Sequence, residues 1–175
     1  MRGAQPRKDT VRPHMDRVRR ELEAFGRMTI RIGVQGDEDG DILMIAGVHE
    51  YGCTIQVTPK MRAFLHRIGL HLRQDTGTIT IPERSFIRAS YDTGKETIAT
   101  AVRDAVQKIN SGEMTAREAA EQIGAKALNM TLEYFNTRVS PAKGTFTQSR
   151  STQFQPLVDT GRLASSITCA VVEEG

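Results

Sequence analysis

Apolar residues recur every three or four positions along three stretches of the chain, the spacing that places them on one face of an α-helix. The stretches are Pro13–Phe25, Thr93–Ile109 and Thr115–Arg138. The first stretch opens with a proline and is followed by Gly26, each at a helix end that suits it. The third begins with Thr115 and Glu118, which have the spacing of a capping box. We therefore predict three amphipathic helices.

Shorter stretches alternate apolar and polar residues, as half-buried strands do. They lie around residues 30–34, 55–57, 79–81 and 166–172, and a further helical stripe follows Pro59 over residues 60–72. Ile42–Val48 is apolar apart from one glycine, and its periodicity fits either a strand or a short buried helix. The order of these elements predicts an α+β fold. We expect a small, mainly antiparallel sheet packed against two longer helices, with an additional N-terminal helix.

The predicted domain organisation is a mobile basic arm at residues 1–12 followed by a single α+β domain at residues 13–175. The 175 residues are 38% hydrophobic and 26% charged, which is typical of one globular domain. Residues 140–156 combine Gly, Ser, Thr, Gln and Pro without periodicity. A stretch of this kind predicts a flexible loop.

The amino-acid composition of the chain limits the kinds of partner that it is expected to bind. The longest apolar stretch, Ile42–Val48, has seven residues, whereas a membrane-spanning helix needs about 20, so we expect no membrane partner. The net charge of +3 permits contact with nucleic acid without requiring it. Aromatic residues make up 5% of the chain and there is no Trp, which is poor material for stacking on bases. Cys53 and Cys169 lie among apolar residues and fit buried free thiols.

The tripeptide Asp-Thr-Gly, the signature of aspartic proteases, occurs three times, at residues 75–77, 92–94 and 159–161. Only 14 residues follow the last copy, and Arg162 stands where such a protease needs a small residue. We therefore interpret the tripeptides as turns and helix caps.

Two other patterns are incomplete. Asp37, Asp39 and Asp41 match the first ligand spacings of a calcium-binding loop, but Ile42 replaces its glycine, so an acidic turn is the better interpretation. The pair His49–Glu50 begins like a zinc-protease motif, but Cys53 stands at the second histidine position.

With no complete catalytic motif, the sequence favours a binding or assembly protein over an enzyme, and we expect no metal and no cofactor. A hydrolase that uses Asp159 or His49 is a remote alternative.

Residues 60–73 form a basic stretch without an acidic residue. Its basic members are Lys60, Arg62, His66, Arg67, His71 and Arg73. Positions 62, 67 and 73 do not share a helix face, which favours a solvated basic helix over a stripe that contacts phosphates. The alternative function that these basic residues leave open is a small basic nucleic-acid-binding module formed by residues 7–20 and 60–73. Its affinity would fall steeply with salt.

Three segments, taken in order, resemble a known family. They are Ile45–Gly52 with the pattern hEyG, Ile79–Arg88 with the pattern IPxRxFxR, and Pro156–Leu163 with the pattern vDTGrL, followed by Ser166–Ile167. Over residues 42–172 the chain resembles the small tail-completion or head–tail joining proteins of tailed bacteriophages, also called minor tail or virion-morphogenesis proteins. Ser85 stands where that family usually has a second proline, and residues 59–74 look like an insertion.

Twelve residues of these segments match the family motifs, and the resemblance implies that each is part of the fold signature or an assembly contact. They are Glu50, Tyr51, Gly52, Pro82, Arg84, Phe86, Arg88, Asp159, Thr160, Gly161, Arg162 and Leu163. We expect the first three to form a turn with Tyr51 half-buried. We expect Arg84 and Arg88 to share a face, and Leu163 to pack where the chain enters its last strand.

The function that the resemblance implies is structural. The protein would complete the tail tube of a phage or prophage and join it to the head connector, as a ring of six copies in the virion. Its partners would then be itself, a tail tube protein and a head connector protein, with at most non-specific basic contacts to nucleic acid. Assembly would take place in the cytoplasm of the bacterial host. Residues 1–12 and 140–156 are candidates to become ordered on docking.

Overall fold

The computed structural model describes residues 11–35, 40–141, 157 and 161–174. The fold is α+β, as the sequence predicts. The described elements are α1 Val11–Gly26, β1 Met28–Val34, α2 Gly40–Tyr51, β2 Cys53–Gln56, α3 Pro59–Arg67, β3 Thr78–Ile81, α4 Ile87–Ser111, α5 Ala116–Thr137, α6 Arg162–Ser165 and β4 Ile167–Glu173. None of these described helices combines the length and the apolar character that a membrane span requires.

The described strands form two small antiparallel sheets, which pair β1 with β4 and β2 with β3. In the second sheet Cys53 lies opposite Ile81 and Gln56 lies opposite Thr78. The exposed Thr and Gln side chains alternate with half-buried apolar ones along these two strands. Pro82 directly follows β3, as expected, because proline has no N–H to donate to a ladder.

The chain divides into two compact units. One unit comprises residues 1–31, 95–127 and 169–175, and its described core is centred on Ile109, Ala119 and Ile123. Leu22 and Phe25 of α1 pack against this core, which explains the apolar stripe of that helix. Where α5 begins, the Thr115 N–H donates to Glu118 at 2.9 Å and the Glu118 N–H donates to the Thr115 hydroxyl at 3.3 Å. The predicted capping box is therefore present.

The other unit comprises residues 32–94 and 128–168. Its core contains Ile42 and Ala46 of α2, together with Phe86, Phe135 and Leu163. The rings of Phe86 and Phe135 meet edge to face with their centroids 5.2 Å apart. The prediction that Leu163 packs against the core is confirmed.

The structure decides one open alternative and corrects two helix boundaries. Ile42–Val48, whose periodicity fits either a strand or a short helix, lies inside helix α2. Helix α3 ends at Arg67 instead of residue 72, and Gly69 follows with a positive φ of 90° that a helix cannot continue through. Helix α4 begins at Ile87, six residues before the predicted start, so Asp92–Gly94 lies inside the helix and not at a turn or cap.

Several predictions fall on residues outside the described part of the chain. These are the basic arm, described only from residue 11, the acidic residues 37–39, the loop from residue 142 to 156, and Asp159 with Thr160.

Candidate functional site

The site centres on the carboxylate of Glu50, in the last turn of α2, whose residue is 4% exposed. The backbone N–H groups of Phe86, Ile87 and Arg88 donate to it at 2.8, 3.1 and 3.0 Å. The Ser85 hydroxyl donates to it at 2.7 Å. We call Glu50 and residues 85–88 the Glu50 clamp.

This carboxylate caps helix α4 from a different helix. The first N–H groups of a helix have no partner within the helix, and its N-terminus carries a partial positive charge. An anion that accepts from them stabilises the helix start. Glu50 therefore explains why α4 begins at Ile87.

Arg88 closes the clamp from its outer side. Its Nε donates to the Glu50 carboxylate at 3.1 Å, and its Nη2 donates to the Glu50 backbone oxygen at 2.8 Å. The same Nη2 donates to Glu83 at 2.9 Å. The guanidinium carbon also lies 4.8 Å from the centroid of the Tyr51 ring, within the range of a cation–π contact. Hydrogen bonding to Glu50 raises the pKa of Arg88.

The protonation of Glu50 follows from these contacts. Burial alone would raise the pKa of its carboxyl, but the hydrogen bonds from Arg88, Ile87, Ser85 and Phe86 outweigh burial and lower the pKa below its ordinary value. Both carboxylate oxygens accept at least two hydrogen bonds. A group with these contacts is suited to holding two helices together and poorly suited to taking a proton from a substrate.

Gly52 and Arg84 complete the junction between α2 and the segment before α4. Gly52 has a φ of 70°, and a Cβ there would lie 2.9 Å from the Glu83 backbone nitrogen and 3.0 Å from the Ile81 oxygen. Only glycine fits such a close approach. The Arg84 N–H donates to the His49 oxygen at 2.7 Å, and its buried Nε donates to the Pro141 oxygen at 2.8 Å. Burial lowers the pKa of Arg84.

The structure corrects two expectations about these motifs. Glu50 and Tyr51 end a helix instead of forming a turn, and Tyr51 is 67% exposed instead of half-buried. Arg84 and Arg88 do not share a face, because Arg84 precedes α4 and is buried, whereas Arg88 lies within the helix and is largely exposed.

The described members of the third motif join the same unit. Gly161 has a φ of 77° directly before α6, and Leu163 of that helix shares a core with Ile42, Ala46 and Phe86. Arg162 is exposed. Three segments far apart in sequence therefore meet within one compact unit.

The motif residues separate into two groups. Glu50, Arg84, Phe86 and Leu163 are buried and Gly52 is sterically constrained, so these residues maintain the fold. Tyr51, Pro82, Arg88 and Arg162 are exposed at the surface of the unit.

The sequence reasoning missed two residues of this site. Ser85 was noted only as a departure from the family pattern, yet its hydroxyl donates to Glu50 and accepts from the Ala89 N–H at 3.3 Å. Glu83 was not singled out. A serine two residues before the helix start is a usable signal for a cap.

Other candidate chemistry finds little support among the described residues, which contain no group of three His, Cys, Asp or Glu side chains able to hold a metal. His49 has a buried Nδ1 without a hydrogen-bond partner, and burial together with the nearby charge of Arg84 lowers its pKa. Cys53 and Cys169 are free thiols, and each is partly exposed instead of buried.

Part of the basic stretch is engaged within the chain. Arg62 donates to the backbone oxygens of Leu72, Arg73 and Thr76 at 3.4, 2.8 and 2.6 Å. Arg73 lies 3.4 Å from the Asp75 carboxylate.

Comparisons with family models, with curated proteins and with solved structures found no match to this chain.

Proposed function

We propose that this protein is a structural assembly protein of a phage or prophage tail, which completes the tail tube and joins it to the head connector as a ring. The observation that carries the proposal is the convergence of the three motif segments. Glu50 of the first segment caps the helix that begins at the end of the second, and Leu163 of the third packs in the same core as Phe86.

This convergence favours a real family signature over three chance matches. Short motifs that match by chance have no reason to contact one another, whereas residues that define a fold do. Because the buried motif residues are saturated by internal contacts, they support a scaffold whose exposed residues bind partners.

The exposed residues at the clamp, Tyr51 and Arg88, are of the types that assembly surfaces favour. Tyr51 and Arg88 stack on each other at the surface, and tyrosine and arginine are enriched among residues that dominate binding energy. Their side chains are held by the clamp, which reduces the entropy lost when a partner binds.

The test is genetic. Deleting the gene from the phage or prophage that encodes it should leave filled heads and separate tails in lysates examined by electron microscopy. Wild-type protein supplied in trans should restore joined virions, whereas Tyr51→Ala should restore far fewer.

Tyr91→Ala is the matched control, because Tyr91 is a comparably exposed tyrosine, at 62%, outside the motifs. It should complement like the wild type. Joined, infectious virions after gene deletion, or a gene that lies outside any phage or prophage genome, would overturn the proposal.

A further inference from the structure

Helix α2 is apolar on both of its sides. Ile42, Ala46 and Glu50 are spaced four residues apart and face the core. On the outer side Met44 is 62% exposed, Ile45 38% and Tyr51 67%. Three large apolar or aromatic side chains on one short helix are a concentration that marks an interaction surface. We call these three residues the α2 face.

Helix α3 has a second uncovered apolar surface. None of the residues of this helix is buried, and Phe64 is 49% exposed. An open groove along this helix is lined by Thr58, Lys60, Met61, Ala63, Phe64 and Arg67. The guanidinium of Arg67 lies 5.6 Å from the Phe64 ring centroid. We call this surface the α3 groove.

The two surfaces lie in segments of opposite charge. Residues 32–59, which contain α2, hold five acidic residues and no Lys or Arg. Of these acidic residues, Asp41 is exposed on α2, whereas Glu50 is buried and paired with Arg88. Residues 60–74, which contain most of α3, hold four Lys or Arg residues and no acidic residue. Such complementarity favours contact between unlike surfaces and disfavours contact between like ones.

We infer that the α2 face of one copy binds the α3 groove of a second copy, with Met44 and Phe64 as apolar anchors. The inference rests on the proposed function and names the partner of the ring as the chain itself. If two α3 grooves paired, Lys60 and Arg67 of one copy would face the same cations of the other copy and repel them. The contact is therefore heterologous, which is the type that closes rings.

A second copy fits the α3 groove better than a nucleic acid. Arg62 already donates to three backbone oxygens of its own chain. Phosphates would leave the Phe64 and Met61 side chains uncovered, whereas the apolar α2 face covers them.

The test uses full-length protein, measured by sedimentation equilibrium across concentration and salt. Wild-type protein should form species larger than the monomer below about 100 µM, because standard-size interfaces reach micromolar or tighter affinity. Association should weaken with salt. Met44→Arg, which repels the cations of the groove, and Phe64→Ser, which removes the anchor, should each weaken self-association by about 10-fold or more.

Mixing these two variants distinguishes heterologous from like-with-like contact. Each variant keeps one intact surface, so an equal mixture should form a dimer and stop there. Tyr91→Ser, an exposed change outside both surfaces, should associate like the wild type. Circular dichroism checks that all variants fold.

The contact is wrong if wild-type protein stays monomeric at about 100 µM, if Phe64→Ser associates like the wild type, or if the mixture remains monomeric. The contact is also wrong if the wild-type protein binds duplex DNA in a salt-dependent way and Phe64→Ser abolishes that binding. If the contact fails while gene deletion still separates heads from tails, the proposed function stands without this contact. If the contact forms and virions join without the gene, the self-association serves another purpose.

Discussion

At the residue scale, Glu50 links two helices through one carboxylate. Because several donors surround this carboxylate, replacing it should lower the stability of the fold. In Glu50→Gln the amide NH₂ faces backbone N–H groups, which leaves buried donors without an acceptor. We expect the free energy of unfolding to fall by about 2–3 kcal/mol, measured by urea denaturation. Because α4 loses its cap, its first turn should also exchange amide hydrogens faster.

Glu133→Gln is the matched control. Glu133 is exposed on α5, and the same change there should alter the free energy of unfolding by less than about 0.5 kcal/mol. Equal effects of the two substitutions would show that the clamp contributes no special stability.

His49 gives the fold a predictable pH dependence. Burial and the charge of Arg84 lower its pKa in the folded protein, whereas the unfolded chain has the ordinary value of about 6.5. Below that pH the unfolded state binds more protons, so stability present above pH ~6.5 is lost as pH falls through the folded pKa. Glu50 does not contribute in this window, because its stabilisation is fully present above about pH 4.3.

We therefore expect the free energy of unfolding to fall between pH 7 and pH 5, and His49→Gln to flatten that profile. His14→Gln, on the exposed side of α1, controls for removing an imidazole. A His49→Gln profile as steep as that of the wild type would assign the dependence to other groups.

At the element scale, sequence periodicity succeeded where a helix has one apolar stripe. Helix α1 is one example, and helix α5, which also begins with its own Thr115–Glu118 capping box, is another. Helix α2 could not be assigned because it is apolar on both sides, which removes the helical period. The start of α4 was missed because most of its cap comes from Glu50, far away in sequence, and its one local signal is Ser85.

The candidate site was predicted only in part and for the same reason. The motifs identified Glu50, Arg88 and Phe86, but no local pattern shows that these residues contact one another. The exposure of Tyr51 depends on which side of α2 faces the core, and a helix that is apolar on both sides does not reveal that side.

The junction after α2 depends on a glycine. In Gly52→Ala the new Cβ would meet the backbone of Glu83 and Ile81, and the φ of 70° would itself be strained. We expect the free energy of unfolding to fall by about 2–3 kcal/mol. In Gly47→Ala, within α2, a Cβ meets nothing within 4 Å. That control should stabilise the protein by up to about 1 kcal/mol, and both changes are measured by urea denaturation.

At the scale of the whole molecule, charge is concentrated in the segment from β2 to β3, residues 53–81. It contains four Lys or Arg residues and one acidic residue, whereas the other 20 basic and 20 acidic residues of the chain cancel. No residue from 51 to 83 is buried. The segment that carries the net charge therefore contributes little to either core.

This separation predicts that residues 58–76 can be replaced by an Asn-Gly turn without loss of the fold. The Val57 N–H donates to the Gly77 oxygen at 2.9 Å, one step beyond the Gln56–Thr78 pair, and a two-residue turn of this type can connect such a hydrogen-bonded pair. The shortened chain should unfold cooperatively with a free energy within about 1 kcal/mol of the wild type, because no buried apolar residue is removed.

Its isoelectric point should fall from about 9.1 to near neutral, and its self-association should be lost with the α3 groove. A chain that no longer folds would show that β2–α3–β3 supports the unit to which it belongs, and a chain that still associates would place the contact elsewhere.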